Sequence, residues 1–316
     1  WRGIRIAGLD SSSIAYARIS GANARGDAPE NYGGGLYVAG FGARVGAANS
    51  VISGNTASYG GGICCHDGGL AALTGCAISN NSATYGGGVA NIASILPVEL
   101  RMEGCVVSGN SASEGGGIYS KSTSTTVATL MLLDCRVVDN TSNSRGGGIV
   151  NQGNLFVERC SISGNAANFG AGLYNDGNGS VTMRNCPVSG NSATSGGGAI
   201  WNAQTLLMTD CSVEGNTAGD GGGIGNSGTL EAQNCLIANN NASNNGGAVY
   251  NSYVLTMADC AIVGNGAAAS GGGVCSERGV STMTNCVFRN NTANSGGGMA
   301  SCESPLSMER CVVTQN

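Results

Sequence analysis

The sequence predicts an all-β chain, a parallel β-helix (β-solenoid) of about twelve coils of roughly 25 residues with three short strands per coil. Three observations predict it. Ten cysteines recur at steps of mostly 24 to 26 residues: Cys76, Cys105, Cys135, Cys160, Cys186, Cys211, Cys235, Cys260, Cys286 and Cys311. Each is followed five residues later by an asparagine, from Asn81 to Asn316. Glycine triplets at 60–62, 86–88, 115–117, 146–148, 221–223, 271–273 and 296–298 follow those asparagines by five or six residues. A fixed period of this size means stacked copies of one structural unit.

The elements of one coil follow in order. Before each cysteine, apolar and polar residues alternate, as in Leu206 and Met208, or Leu100 and Met102. This is the period of two of a β-strand. The alternation resumes through the cysteine, as in Cys211 and Val213 or Cys160 and Ile162, which gives the second strand. A third follows the glycines, at Ile63, Val89, Ile118, Ile149, Leu173, Ile200, Ile224, Val249 and Val274. Helical 3.6-residue periodicity is not seen. An earlier coil reads at 19–23 with glycines at 33–35. Stacking at about 4.8 Å per coil gives a rod of roughly 55–60 Å.

The asparagines Asn55, Asn81, Asn110, Asn140, Asn165, Asn191, Asn216, Asn240, Asn265 and Asn291 form a column able to pass amide hydrogen bonds from coil to coil. A second polar column comprises Asn91, Asn151, Asn175, Asn202, Asn226 and Asn251. Small residues two after the first asparagine, such as Ala57, Ala83 and Ala112, let the chain turn inward. Glycine suits a sharp corner because it tolerates positive φ and needs no Cβ room.

Composition excludes several classes. Charged residues are 10 % of 316, and the net charge is −5 with one lysine, Lys121, so a nucleic-acid partner, which needs a basic face, is not expected. With 56 glycines but four prolines and no Gly-X-Y period, the chain is not collagen. Its regular apolar positions argue against disorder. No apolar run is long enough for a membrane-spanning helix in this segment. The expected organisation is one β-helix domain over 1–316, part of a longer chain or assembly, because it starts at Trp1 and stops within a repeat.

The Gly-Gly-Ala-Ile at 197–200 and Gly-Gly-Ala-Val at 246–249, each after an Asn-containing turn, resemble the repeats of chlamydial-type polymorphic outer membrane proteins. The wider resemblance is to right-handed parallel β-helix proteins and covers nearly the whole chain. One departure is clear: Cys-x-(Ile/Val)-x-x-Asn stands where that family has Phe-x-x-Asn. The resemblance implies a right-handed β-helix that is secreted or displayed on a cell surface. The expected function is a non-catalytic structural or adhesive rod in an appendage, filament or adhesin. Its partners would be further copies of itself, head to tail or laterally, or other surface proteins and glycans.

Chemistry candidates are few, and neither a cofactor nor a metal site is expected. The cysteine column reads as small, buried, reduced thiols. Coil-to-coil disulfides are the alternative, strained by parallel Cβ vectors. No zinc-type Cys/His spacing is present, and a metal or a redox wire is the remaining reading of the column. Cys275 and Cys302 fall in neighbouring coils, where a bridge is plausible. Cys64-Cys65-His66-Asp67 contains the one histidine and offers too few ligands for a metal. The methionines Met102, Met183, Met208, Met257, Met283 and Met308 read as core filler. A polysaccharide-binding or polysaccharide-cleaving β-helix is the alternative function. Paired carboxylates would serve hydrolysis, but Asp134, Asp210 and Asp259 alternate with Asn185, Asn234 and Asn285.

Three coils are enlarged, at 24–32, 92–99 and 119–129, where solenoids bind partners. The first contains Arg25-Gly26-Asp27, an integrin-type tripeptide. Glycosylation sequons start at Asn80, Asn140, Asn178, Asn241 and Asn290. The threonines and serines from Thr56 to Thr292 form a single interrupted column, not the flat double array of an ice-binding face.

Overall fold

The computed structural model describes residues 1–9 and 11–316. The coil beginning at Ile63 sets the pattern. Its strands are Ile63–His66 (sheet I), Leu70–Thr74 (sheet II), Ala77–Ser79 (sheet III) and Ser82–Tyr85 (sheet IV). Each strand pairs in parallel with its equivalents one coil before and after, so Ile78 lies between Ile52 and Val107. Sheets I, II and III are each 12-stranded and sheet IV is 9-stranded. Twelve stacked strands make eleven coil-to-coil steps. No helix occurs among the described residues.

The fourth strand differs from the three expected. It runs from the residue after each ladder asparagine, as in Thr56–Tyr59, and shrinks to Thr217–Ala218, Asn241–Ala242 and Gly266–Ala267 in later coils. In most coils only one of its side chains faces clearly inward, the one two after the asparagine, which is alanine except at Ser142, so the sequence carries no alternation to read there. Its register also slips between Ala112 and Glu114 against the next coil.

The core is one continuous column of apolar side chains. Leu100, Met102, Cys105 and Val107 are fully buried in one coil, and Leu130, Leu132, Cys135 and Val137 in the next. Burying each larger apolar side chain is worth about 1.5–3 kcal/mol.

Three left-handed corners shape most coils. One sits just before the column cysteine: φ is 60° at Gly75 and 53° at Asp134, Asn185, Asp210 and Asn234 or within two degrees of it. A second sits just before the ladder asparagine, at Gly54, Asn80 and Asp139. Glycine, asparagine and aspartate are the residues that enter this region at least cost. The column acids Asp134, Asp210 and Asp259 therefore stand where a corner requires them.

The third corner is the first glycine of each triplet, with φ of 61° at Gly60. The second and third glycines answer a different need. A Cβ on Gly61 would lie 2.5 Å from the carbonyl oxygens of Gly87 and Ser82, and one on Gly62 would lie 2.6 Å from that of Gly88. Close stacking of backbone on backbone at this corner leaves little room for side chains.

The asparagine column is a continuous buried ladder. From Asn55 to Asn316, every side-chain amide donates to Oδ1 of the next asparagine, at 2.8–3.1 Å. The same Oδ1 accepts the backbone N–H of the earlier asparagine, as from Asn55 to Asn81 at 3.0 Å. Each amide also serves a carbonyl of the preceding coil, as Asn81 Nδ2 does Ile52 O at 2.9 Å. The corner's buried backbone groups are thus satisfied without water. The second column behaves likewise from Asn151 through Asn175, Asn202 and Asn226 to Asn251.

All fourteen cysteines are free thiols. The column thiols donate weakly to nearby carbonyls, as Cys186 Sγ does to Arg184 O at 3.1 Å and Cys105 Sγ to Leu73 O at 3.4 Å. A small, buried, weakly polar side chain fits this corner.

Candidate ligand-binding face

Two of the three enlarged coils converge on one flank. The 24–32 and 92–99 segments wall a cavity of about 430 Å³ over the sheet I strands Leu36–Ala39 and Ile63–His66. Its lining includes Pro29, Tyr32, Tyr37, His66, Asp67 and Ile95. The third enlarged coil braces the second, through Thr126 Oγ1 donating to Ala93 O at 3.2 Å.

The floor is aromatic. Tyr32 meets His66 edge to face at 5.3 Å between centroids, and Tyr37 meets His66 nearly parallel at 6.3 Å. The Arg5 guanidinium lies 4.1 Å from the centre of the Tyr37 ring and donates to the carbonyls of Pro29 and Tyr32, which ties sheet I to the loop. Asp67 Oδ1 accepts the backbone N–H groups of Ser94, Ile95 and Leu96, which fixes the second loop. Burial raises the Asp67 pKa, but these three hydrogen bonds outweigh it, so the carboxyl lies below its usual 3.8. Burial pushes the His66 imidazole below 6.5, with Asp67 opposing, so it is uncharged at neutral pH. Burial also lifts the Tyr37 phenol to about 12.

From this pocket an aromatic row continues along the rod. Tyr32 packs on Tyr59 at 4.7 Å, Tyr59 on Tyr85 at 4.8 Å, and Tyr85 on Tyr119 at 5.2 Å. The first three precede the glycine corner, in Asn-Tyr-Gly, Ser-Tyr-Gly and Thr-Tyr-Gly, a sequence signal confined to three coils and therefore weak beside the cysteine and asparagine periods. Beyond it, Arg145 pairs with Asp176 at 2.9 Å and with Glu114 at 3.7 Å.

The other sequence candidates distribute as follows. Arg25, Gly26 and Asp27 are exposed in the 24–32 loop, with Arg25 Nε donating to Asn23 Oδ1 at 3.0 Å. Cys302 stands opposite Glu277, two residues beyond Ala300, the strand partner of Cys275. That diagonal offset is longer than a directly opposed pair and does not favour a bridge. Asn140 is a fully buried ladder residue, so its sequon is closed in the folded chain, whereas Asn80, Asn178, Asn241 and Asn290 are exposed. Asp134 and Glu158 are both engaged by Arg159, whose Nε and Nη2 reach the two Asp134 oxygens at 2.8 and 3.0 Å. Among the described residues, no group of three or more histidine, cysteine or acidic side chains is placed to hold a metal ion.

The comparisons with known proteins fall on this framework. No curated protein and no solved structure gives a significant match to the chain. Two segments, 49–66 and 104–121, match the Chlamydia polymorphic membrane protein repeat. Each runs from a left-handed corner through the ladder asparagine and the glycines into sheet I, and neither contains the Gly-Gly-Ala sequences at 197–200 and 246–249. Residues 142–279 match the right-handed β-helix region. The chain is a parallel β-solenoid in which two segments are similar to the Chlamydia polymorphic membrane protein repeat and residues 142–279 to the right-handed β-helix region.

Proposed function

We propose that the chain is a non-catalytic, surface-presented rod with an adhesive role, and that the flank bearing the 24–32 and 92–99 segments is its contact face. The repeat matches support a surface protein of structural type. The observation that carries the adhesive part is the convergence of two enlarged coils on one cavity, on a body whose remaining coils are given over to stacking. The acids that could have suggested hydrolysis are corner residues or are held by Arg159.

The test is attachment of cells or cell-wall material to beads coated with the purified chain. Attachment should fall by tenfold or more when residues 94–96 are replaced by glycine-serine. Unchanged attachment would overturn the assignment of the face. Asp27→Glu separates the tripeptide from the rest of the loop, because an integrin-type contact needs the shorter carboxylate. New reducing ends released from a polysaccharide panel would favour the enzymatic alternative.

A further inference from the structure

The cavity has a chemistry more specific than a general contact face. We propose that it binds one neutral pyranose ring of a glycan, with the apolar face of the sugar against Tyr32 and its hydroxyls on Asp67, His66 and Tyr37. This rests on the adhesive reading above for its biological role, but its chemistry stands on the pocket alone.

Shape is the first argument. A cavity of about 430 Å³ is within the range of small-ligand sites, which are mostly apolar with a few convergent polar groups. Pro29 and Ile95, one from each loop, line it, and Ile95 is 78 % exposed although it is a large aliphatic residue. An aromatic floor with an aliphatic lining suits a ligand that has one apolar face and polar edges.

Hydrogen-bonding capacity is the second. Asp67 Oδ1 is saturated by three backbone donors, but Oδ2 has only the neutral His66 ring near it, with Nε2 at 3.6 Å, beyond hydrogen-bond length. Tyr37 Oη and His66 Nδ1 are 3.4 Å apart, a loose contact. A carboxylate oxygen, a phenol and an imidazole are thus partly unfilled around one apolar space. A hydroxyl both donates and accepts, so a polyol satisfies all three.

Charge is the third. Asp67 is ionised and His66 neutral, and the nearest cation, Arg5, is spent on the Tyr37 ring and the loop carbonyls. One carboxylate and one guanidinium leave no net charge to be met by the ligand. A phosphate or carboxylate ligand would face Asp67 without a free donor cation. A quaternary ammonium would find Arg5 already on the Tyr37 face.

His66 is the one histidine in the sequence, so its ring protons report on the site without assignment ambiguity. The full chain at pH 7.5 is titrated with the methyl glycosides of glucose, galactose, mannose and N-acetylglucosamine. Tetramethylammonium and methyl phosphate serve as charged probes. The expected result is a saturable shift of the His66 resonances with at least one glycoside, and saturation transfer to the sugar C–H protons. Tyr32→Ala should weaken this tenfold or more. Ile95→Trp, at an exposed position where folding is not at risk, should close the mouth and abolish it. No shift with any glycoside, a shift with a charged probe alone, or full binding by Ile95→Trp would each overturn the proposal. Failure here with cell attachment intact leaves the adhesive reading standing. Glycoside binding without any attachment removes the adhesive reading and leaves the pocket.

Discussion

Asn191 and Asn216 are joined twice across neighbouring coils: the backbone N–H of Asn191 and its side-chain amide both donate to Asn216 Oδ1, at 2.9 and 3.0 Å. One oxygen thus closes a backbone corner and continues the ladder. Asn191 does the same for Asn165 at 3.0 and 2.9 Å. In Asn191→Ala the buried N–H of Asn165 loses its acceptor and a cavity opens. The expected cost is about 2–4 kcal/mol. Because each coil touches only its neighbours, the loss should be local. Hydrogen exchange would show lost protection at the Asn165 amide and adjacent coils, with distant coils unchanged. Uniform destabilisation of the whole rod, or none, would contradict the ladder's role.

The thiols give a second prediction. Cys302 is exposed and Cys311 half-buried, while the remaining twelve of fourteen are buried. Burial pushes Cys65 up to about 12, and the hydrogen bond with Cys105, then burial, raise Cys76; hydrogen bonds from neighbouring column thiols lower Cys211 and Cys286, and these two are protected by their burial away from reagent. A thiol reacts as its thiolate. Native protein at pH 8 should therefore be modified rapidly at Cys302, slowly at Cys311, and elsewhere only after denaturation, when all fourteen respond. Fewer than fourteen in denaturant without reductant would reveal a bridge, and mass mapping would show whether it joins Cys275 to Cys302.

The period-bearing features were legible because stacking repeats them: Cys105 and Cys135 occupy one inward column, and Asn110 and Asn140 one ladder. The fourth strand was not, since Thr56–Tyr59 buries one side chain, Ala57, and an alternation needs at least two. The pocket was hidden for a different reason. Tyr37, His66 and Ile95 are separated by about one coil each in sequence, so they meet only once the coils are stacked in register. His66 looked isolated beside Asp67 because its neighbours in space belong to other turns.

A break in the second polar column supplies a third prediction. Asn91 Oδ1 is buried without a hydrogen-bond partner. Its strand partner one coil earlier is Cys65, where the later column places asparagines on both sides. In the equivalent pair, Asn151 Nδ2 donates to Asn175 Oδ1 at 3.0 Å. Cys65→Asn should extend the ladder by one residue and satisfy Asn91, with a gain of about 1 kcal/mol. Cys65→Ala lacks the donor and should give none. Denaturant unfolding of the two variants against the parent decides it: equal or lower stability of Cys65→Asn would mean that the coil at Cys65 cannot seat the amide.

The pocket's acid response is the fourth prediction. His66 is faced by Tyr37, Tyr32 and Asp67. Burial lowers its pKa from 6.5, with Asp67 acting in the opposite sense. The unfolded chain therefore takes up a proton at a higher pH than the folded chain does. Stability should be constant above the unfolded value near 6.5 and decline as pH falls from there to the folded pKa, below which this contribution no longer changes. Asp67 shifts downward, so its own contribution persists to lower pH and is lost only below its usual 3.8, as the folded carboxyl takes up its proton. An NMR titration of His66 should give a midpoint below 6.5, and His66→Gln should remove the upper step of the stability profile while keeping the lower one. A His66 midpoint above 6.5 would mean that the Asp67 charge, not burial, controls the site, and the uncharged floor required for a neutral ligand would not exist at weakly acidic pH.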